Sequence, residues 1–184
     1  KNNKNNKNVD PNEIFTLLSE LGKGSYGGVF KALDKRNSNT VALKIIPIET
    51  DNTKELFREI RILRKCNSKY IVNYLGSFRN KKHNEIWISM EYCGGGSIQD
   101  LIKITRKPLN EIQLCVVVKS TLSALKYLNK EKLIHRDIKA GNILLTNEGQ
   151  IKLADFGVST QLQKTISCRN TVIGSPYWMA PEVL

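Results

Sequence analysis

Four groups of residues have the types and spacing to do chemistry. The first is Gly22-x-Gly24-x-x-Gly27, followed by Val29. Taken alone it reads as a hairpin turn in which glycine supplies positive φ. A dinucleotide fingerprint needs a helix directly after the glycines. Here Val29–Ala32 reads as a strand, so the turn is suited to folding over a polyphosphate and offering it backbone N–H groups. The second is Lys44, inside the apolar run Val41–Lys44. Its bland reading is a lysine on a solvent face. Turned inward it needs an anionic partner, because an unpaired buried ammonium is costly. Glu59, beside Ile60 on the next helical segment, is the candidate; otherwise it is a solvated helix carboxylate.

The third group is denser: His135-Arg136-Asp137-Ile138-Lys139-Ala140-Gly141-Asn142. Asp137 can accept or orient the proton of a hydroxyl nucleophile. Lys139 can stabilise negative charge on a phosphoryl group in flight. Asn142 can offer an amide oxygen to Mg²⁺, which prefers hard oxygen ligands. His135 reads best as a packed core histidine. The fourth group is Asp155-Phe156-Gly157 after an apolar strand. Asp155 would be a second Mg²⁺ ligand, Gly157 a swivel; in isolation the tripeptide is an ordinary Asx-type turn.

Composition limits what these groups can belong to. The chain has 184 residues, 40% hydrophobic and 25% charged, which fits a globular chain with a real core. No apolar run approaches the ~20 residues of a membrane helix. No signal-peptide pattern opens the chain, which starts without Met. The net charge of +12 is spread evenly, +7 in residues 1–92 and +5 in 93–184. With aromatics at 7%, that argues against a nucleic-acid binder, and a solvated Lys-rich surface is the leading reading. Cys66, Cys93, Cys115 and Cys168 are scattered, with only His83 and His135 as histidines. Neither a zinc site nor a disulfide framework is expected; reduced thiols in a cytosolic or nuclear setting are the default, and a cytoplasmic location is expected.

The elements that must position the four groups follow from periodicity. Residues 1–12, beginning KNNKNNKN, lack a core-forming pattern and read as a disordered tail. Strand-like runs at Phe15–Leu21, Val29–Ala32, Val41–Ile48, Ile71–Phe78 and Ile86–Tyr92 alternate with turns at Gly22–Gly28, Asp34–Asn39 and Asn80–Asn84. Lys54–Cys66 has helical spacing through Leu56, Ile60 and Leu63. After Gly94-Gly95-Gly96 the pattern turns helical. Ser97 caps a helix to about Thr105; Asn110 with Gln113 forms a capping box for a helix to about Lys130. Its apolar positions include Ile112, Val116, Leu122, Leu125 and Leu128. Strand pairs Ile143–Leu145 and Ile151–Ala154 follow, then a polar loop over 158–175. The expected fold is α+β: a five-stranded antiparallel sheet with one helix (13–93), then a mainly helical lobe (94–184).

The four groups, in this order, resemble the signature of the eukaryotic protein kinases. The resemblance runs from about Phe15 to Leu184. Gly174-Ser175-Pro176-Tyr177-Trp178-Met179-Ala180-Pro181-Glu182, with Ile134–Leu145 and Asn170–Ile173, is most similar to the sterile-twenty group of Ser/Thr kinases, Hippo/Mst-type. It implies ATP and Mg²⁺ as cofactors and a two-lobe fold. Gly22, Gly24 and Gly27 would cover the phosphates, with Leu21 beside them. Lys44 would grip the α and β phosphates and pair with Glu59. Met90 would be the gatekeeper and Glu91–Cys93 the adenine-reading hinge; Val29, Ala42 and Leu144 would sandwich the ring. Asn142 and Asp155 would hold Mg²⁺, Asp137 would be the base, and Lys139 would mark a Ser/Thr-type loop. Leu63, Tyr74, His135 and Phe156 match the stacked spine. Thr171 matches the activating phosphorylation position, where a phosphate would pair with Arg136 and order the loop. Ser175 stands where the family more often has Thr; Thr165 and Ser167 are weaker candidates.

The implied partners are protein substrates and an upstream or trans-autophosphorylating kinase, with no nucleic acid and no membrane span; nothing predicts an oligomeric state. The family's domain continues beyond Leu184, so the large lobe is expected to be incomplete, with Glu182 lacking its partner and the Asn110–Lys130 helix exposing apolar surface. The leading function is phosphoryl transfer to Ser/Thr hydroxyls of proteins in intracellular signalling. The alternative is a truncated, catalytically impaired nucleotide-binding or scaffold fragment of such a kinase.

Overall fold

In the computed structural model of the chain the described residues are 9–24, 27–48, 53–155, 160–161 and 176–181. A short helix, α1 (Pro11–Ile14), opens them. The Asp10 carboxylate accepts from the Asn12 N–H at 3.0 Å and caps it, and proline at the first helical position suits the fixed φ. The sequence reading carried the tail through residue 12. Residues 10–12 instead belong to this capped helix, because Pro11 and Ile14 are buried.

Five antiparallel strands follow: β1 (Phe15–Gly24), β2 (Gly27–Asp34), β3 (Asn39–Pro47), β4 (Tyr74–Asn80) and β5 (Glu85–Glu91), in the order β1-β2-β3-β5-β4. Helix α2 (Thr53–Lys65) interrupts them in sequence. Register gives the sheet two faces. One carries Ala32, Val41, Leu43, Trp87 and Phe78, packed with Ile14 and Phe15 into the core of this unit. The Phe15 and Phe78 rings meet edge-on at 5.0 Å. Arg36 lies over both and forms an ion pair with buried Asp34 at 2.6 Å. The guanidinium's hydrogen bond holds the Asp34 carboxyl below its ordinary range.

The glycine segment is more strand than turn. Gly24 pairs with Gly27 and Gly22 with Val29, so much of the expected turn over Gly22–Gly28 is strand; residues 25 and 26 lie outside the described residues. A Cβ on Gly27 would overlap the Ile45 carbonyl; only glycine lets β2 approach β3 there.

The chain divides into two compact units: Lys1–Cys66 with Asn73–Tyr92, and Asn67–Val72 with Cys93–Leu184. Residues 67–72, read from sequence as part of the first unit, run with the second because the Leu153 N–H donates to the Tyr70 carbonyl at 2.8 Å and the Val72 N–H to the Leu153 carbonyl at 3.0 Å. Ile71 accordingly bridges Leu153 rather than starting a strand.

The second unit holds β6 (Gly96–Ser97), α3 (Ile98–Thr105), α4 (Glu111–Lys130), β7 (Leu133–Ile134), β8 (Ile143–Leu145), β9 (Ile151–Leu153) and β10 (Thr160–Gln161). Both helices start in complete capping boxes, Ser97 with Asp100 and Asn110 with Gln113. β6, β8 and β9 form one sheet; β7 pairs with β10. Helix α4 buries Val117, Ala124 and Leu128. Ile112 and Leu122, expected on its apolar face, are 78% and 59% exposed. Its apolar positions extend beyond the face it buries, so it exposes apolar surface as expected; small Ala124, wholly buried, marks the close approach. Among the described residues no helix is long and apolar enough to cross a membrane.

Candidate active site

The first unit offers one face of its sheet. Antiparallel partners share a face, and the rungs Gly22–Val29–Lys44–Ile88 and Ala42–Met90 line up opposite the packed core. Gly22, Val29, Ala42, Lys44 and Met90, separated in sequence by up to 68 positions, therefore share this face. Lys44 is only 6% exposed, turned inward as the functional reading requires. Gly24 lies on the final rung of β1. Leu21, on β1 just before Gly22, is exposed. Glu59 falls in α2, but its side chain lies outside the described residues. Glu91 closes β5: its N–H donates to the Asn73 carbonyl at 2.9 Å and its carboxylate accepts from the Asn73 N–H at 3.1 Å. Asn73 is a partner of Glu91 that the sequence reading missed, since nothing in its local pattern marks it.

The second unit carries the acid, the amide and the cation. Lys139 Nζ stands 2.8 Å from Asp137 Oδ2. Asn142, in the 3-10 turn Ala140–Asn142, donates from Nδ2 to the Asp137 carbonyl at 2.8 Å and to Oδ2 at 2.9 Å. One carboxylate oxygen is thus oriented by an amide and an ammonium together. Buried His135 sets the loop from beneath. Its Nε2 donates to the Ala154 carbonyl at 2.9 Å, and its Nδ1 accepts from the Asp137 N–H at 3.3 Å. Burial holds its pKa below the ordinary value. Ala154 also donates its N–H to the Asn142 carbonyl at 2.9 Å. Held on both sides, Ala154 fixes where Asp155 starts.

Two non-glycine residues here sit in the left-handed region, Arg136 at φ 68° and Asp155 at φ 63°. For Arg136 this conformation costs about 1–2 kcal/mol, and the two bonds of His135 beside it hold it there. Asp tolerates the region better and leaves its carboxylate exposed. Leu144 follows on β8, opposite Ser97, and Cys93 is buried, its carbonyl accepting from Gly96 N–H at 3.3 Å. Phe156, Gly157, Thr165, Ser167, Cys168, Thr171, Ser175 and Glu182 lie outside the described residues.

The donor set suits Mg²⁺. Asn142 commits its NH₂ to Asp137, which leaves oxygen as the end of that amide able to meet a cation. Among the described residues no cluster of three His, Cys, Asp or Glu side chains could hold a metal. Two oxygen ligands fit an ion that completes its shell with phosphates and water rather than a protein cage.

Residues 15–184 match the protein kinase domain family. The chain belongs to that family. Its expected kinase fold, with the five-stranded antiparallel sheet, is the one found. The chain is 51% identical over 177 residues to serine/threonine-protein kinase cst-1 of Caenorhabditis elegans, and equally to cst-1 of Caenorhabditis briggsae. These alignments cover 96% of this chain and 35% of each relative, so the chain spans about a third of their length.

Proposed function

We propose that the chain transfers the γ-phosphoryl group of ATP to Ser/Thr hydroxyls of protein substrates. The observation that carries this reading is the Asp137 carboxylate, held at one oxygen by Lys139 and Asn142. Asp137 takes the proton of the incoming hydroxyl as its oxygen bonds the γ-phosphorus; the bond to the β-phosphate oxygen breaks and ADP leaves. Lys139 stabilises the negative charge of the moving group. Asn142 and Asp155 would hold Mg²⁺, whose part is to neutralise phosphate charge. In the other unit, Gly22, Gly24 and Gly27 cover the phosphates with Leu21 beside them, and Lys44 grips them, paired with Glu59. Val29, Ala42, Met90 and Glu91 are this unit's adenine-contacting residues, and Cys93 and Leu144 are those of the second unit. The cst-1 relatives, named as serine/threonine-protein kinases, support the substrate class.

Regulation follows the same chemistry. A phosphate on Thr171, added by another kinase or a second copy, would pair with Arg136 and order the loop before Ser175.

The test is transfer from Mg²⁺–ATP to a basic protein substrate by wild type and Asp137→Asn. Transfer lost in the variant with ATP binding kept is expected. Undiminished transfer would overturn the assignment. Thr171→Ala should lower activity in a chain otherwise phosphorylated there; unchanged activity sinks the regulatory step.

A further inference from the structure

The first turn of α3 packs against the turn Ala140–Asn142. Gly96 and Ser97 pair with Leu145 and Leu144, and the Gly95 N–H donates to the Leu145 carbonyl at 2.9 Å. These bonds register the start of α3 against the strand that leaves the turn Ala140–Asn142. The Ser97–Asp100 box then fixes that start as helix. Gln99, its second residue, is set over Gly141. A Cβ built on Gly141 would stand 2.8 Å from Gln99 Oε1, so the carboxamide occupies the place a side chain at 141 would take.

Gly141 immediately precedes Asn142. Glycine has more backbone freedom than any other residue, yet this turn has to hold the Asn142 amide still. We propose that Gln99 is a positioning residue for the metal-binding turn. Seated where a Gly141 side chain would be, its carboxamide restricts the turn and so sets the Asn142 oxygen for Mg²⁺. The proposal rests on the reading of Asn142 as a Mg²⁺ ligand. It also explains why residue 141 lacks a side chain: any Cβ displaces the amide. Because Oε1 is the far end of a flexible side chain, that displacement disturbs the seat without breaking the fold.

The experiment measures the Mg²⁺ concentration that half-saturates ATP-induced thermal stabilisation, alongside the melting midpoint without ligand. Wild type, Gln99→Ala, Gly141→Ala, the double variant and Asn142→Ala are compared. Each of the first two single variants should need about tenfold more Mg²⁺, the lower range for groups that orient a metal ligand, with ligand-free midpoints near wild type. In the double variant the new methyl fills the vacated seat, so its Mg²⁺ requirement should fall below that of Gly141→Ala. Single variants with the wild-type Mg²⁺ requirement, a shift confined to the ligand-free midpoint, or strictly additive losses would overturn the proposal. If Asn142→Ala weakens Mg²⁺ dependence and Gln99→Ala does not, the positioning role alone fails. If Asn142→Ala has no effect, or wild type shows no Mg²⁺-dependent response, the metal-ligand reading fails and the proposal with it.

Discussion

The Asn142 carboxamide holds Asp137 at two points, donating to its main-chain carbonyl at 2.8 Å and to its Oδ2 at 2.9 Å. Asn142 therefore orients the proposed base as well as offering an oxygen to the metal. Asn142→Ala should cut phosphoryl transfer by about 100-fold or more, since the base loses its orientation and the metal a ligand. It should also destabilise the chain by about 1–3 kcal/mol, because it removes a donor from a partly buried carbonyl. Steady-state kinetics and thermal melts separate the two effects; a variant with near wild-type kcat would refute the double role.

The glycines of the first unit are not equivalent. A Cβ on Gly27 overlaps the Ile45 carbonyl, a backbone atom of a central strand that cannot move aside cheaply. A Cβ on Gly22 meets no heavy atom within 4 Å. Gly27→Ala should destabilise by about 1–3 kcal/mol or more, while Gly22→Ala stays within about 0.5 kcal/mol. Matched denaturant titrations check this; equal losses would mean the sheet tolerates a shift of β2.

How much was legible beforehand varies with the kind of signal. Short-range signals were readable: Ser97 and Asn110 cap their helices as their side chains suggest, and Ile143–Leu145 is the strand its residues indicate. The site groups were readable because type and spacing survive without coordinates, and Asp137, Lys139 and Asn142 do converge. What escaped depends on partners far away in sequence. Ile71 could pass for a strand start until Leu153 arrived to bridge it. The buried face of α4 could not be narrowed to Val117, Ala124 and Leu128 because its apolar positions span more of the helix than its neighbours cover. Gln99 over Gly141 depends on strand register between β6 and β8, which no local pattern encodes.

The Asp34–Arg36 pair bears on the first unit alone. Asp34 is buried and accepts from Arg36 Nε at 2.9 Å, and the guanidinium covers Phe15 and Phe78. Asp34→Ala should lower stability by about 1–3 kcal/mol, and Arg36→Lys should recover little because a point charge cannot form the fork. The Asp34 carboxyl titrates below its ordinary value of 3.8 when folded. Its contribution is therefore present above pH 3.8 and lost as pH falls through the folded value. Acid melts of wild type that run parallel to those of Asp34→Ala would contradict this.

His135 gives the chain a second, milder pH dependence. The ring is 2% exposed, and each nitrogen already has its role in the neutral form: Nε2 donates to Ala154, Nδ1 accepts from the Asp137 N–H. Protonation would place a hydrogen on Nδ1 against another donor and a charge in a buried site. Burial therefore lowers its pKa beneath the ordinary 6.5; the Ala154 carbonyl, Asp155 and Asp137 oppose that shift, and Lys139 adds to it. Above pH 6.5 the ring is neutral folded or unfolded, and the stabilisation is complete. Below 6.5 the unfolded chain binds a proton that the folded chain refuses, so stability declines as pH falls toward the folded value. Melting midpoints should be flat from about pH 8 to 7 and drop from about pH 6.5 to 5.5. His135→Phe should lose that drop while melting lower throughout. Curves for the two proteins that fall in parallel below pH 6.5 would show that some other group sets this slope.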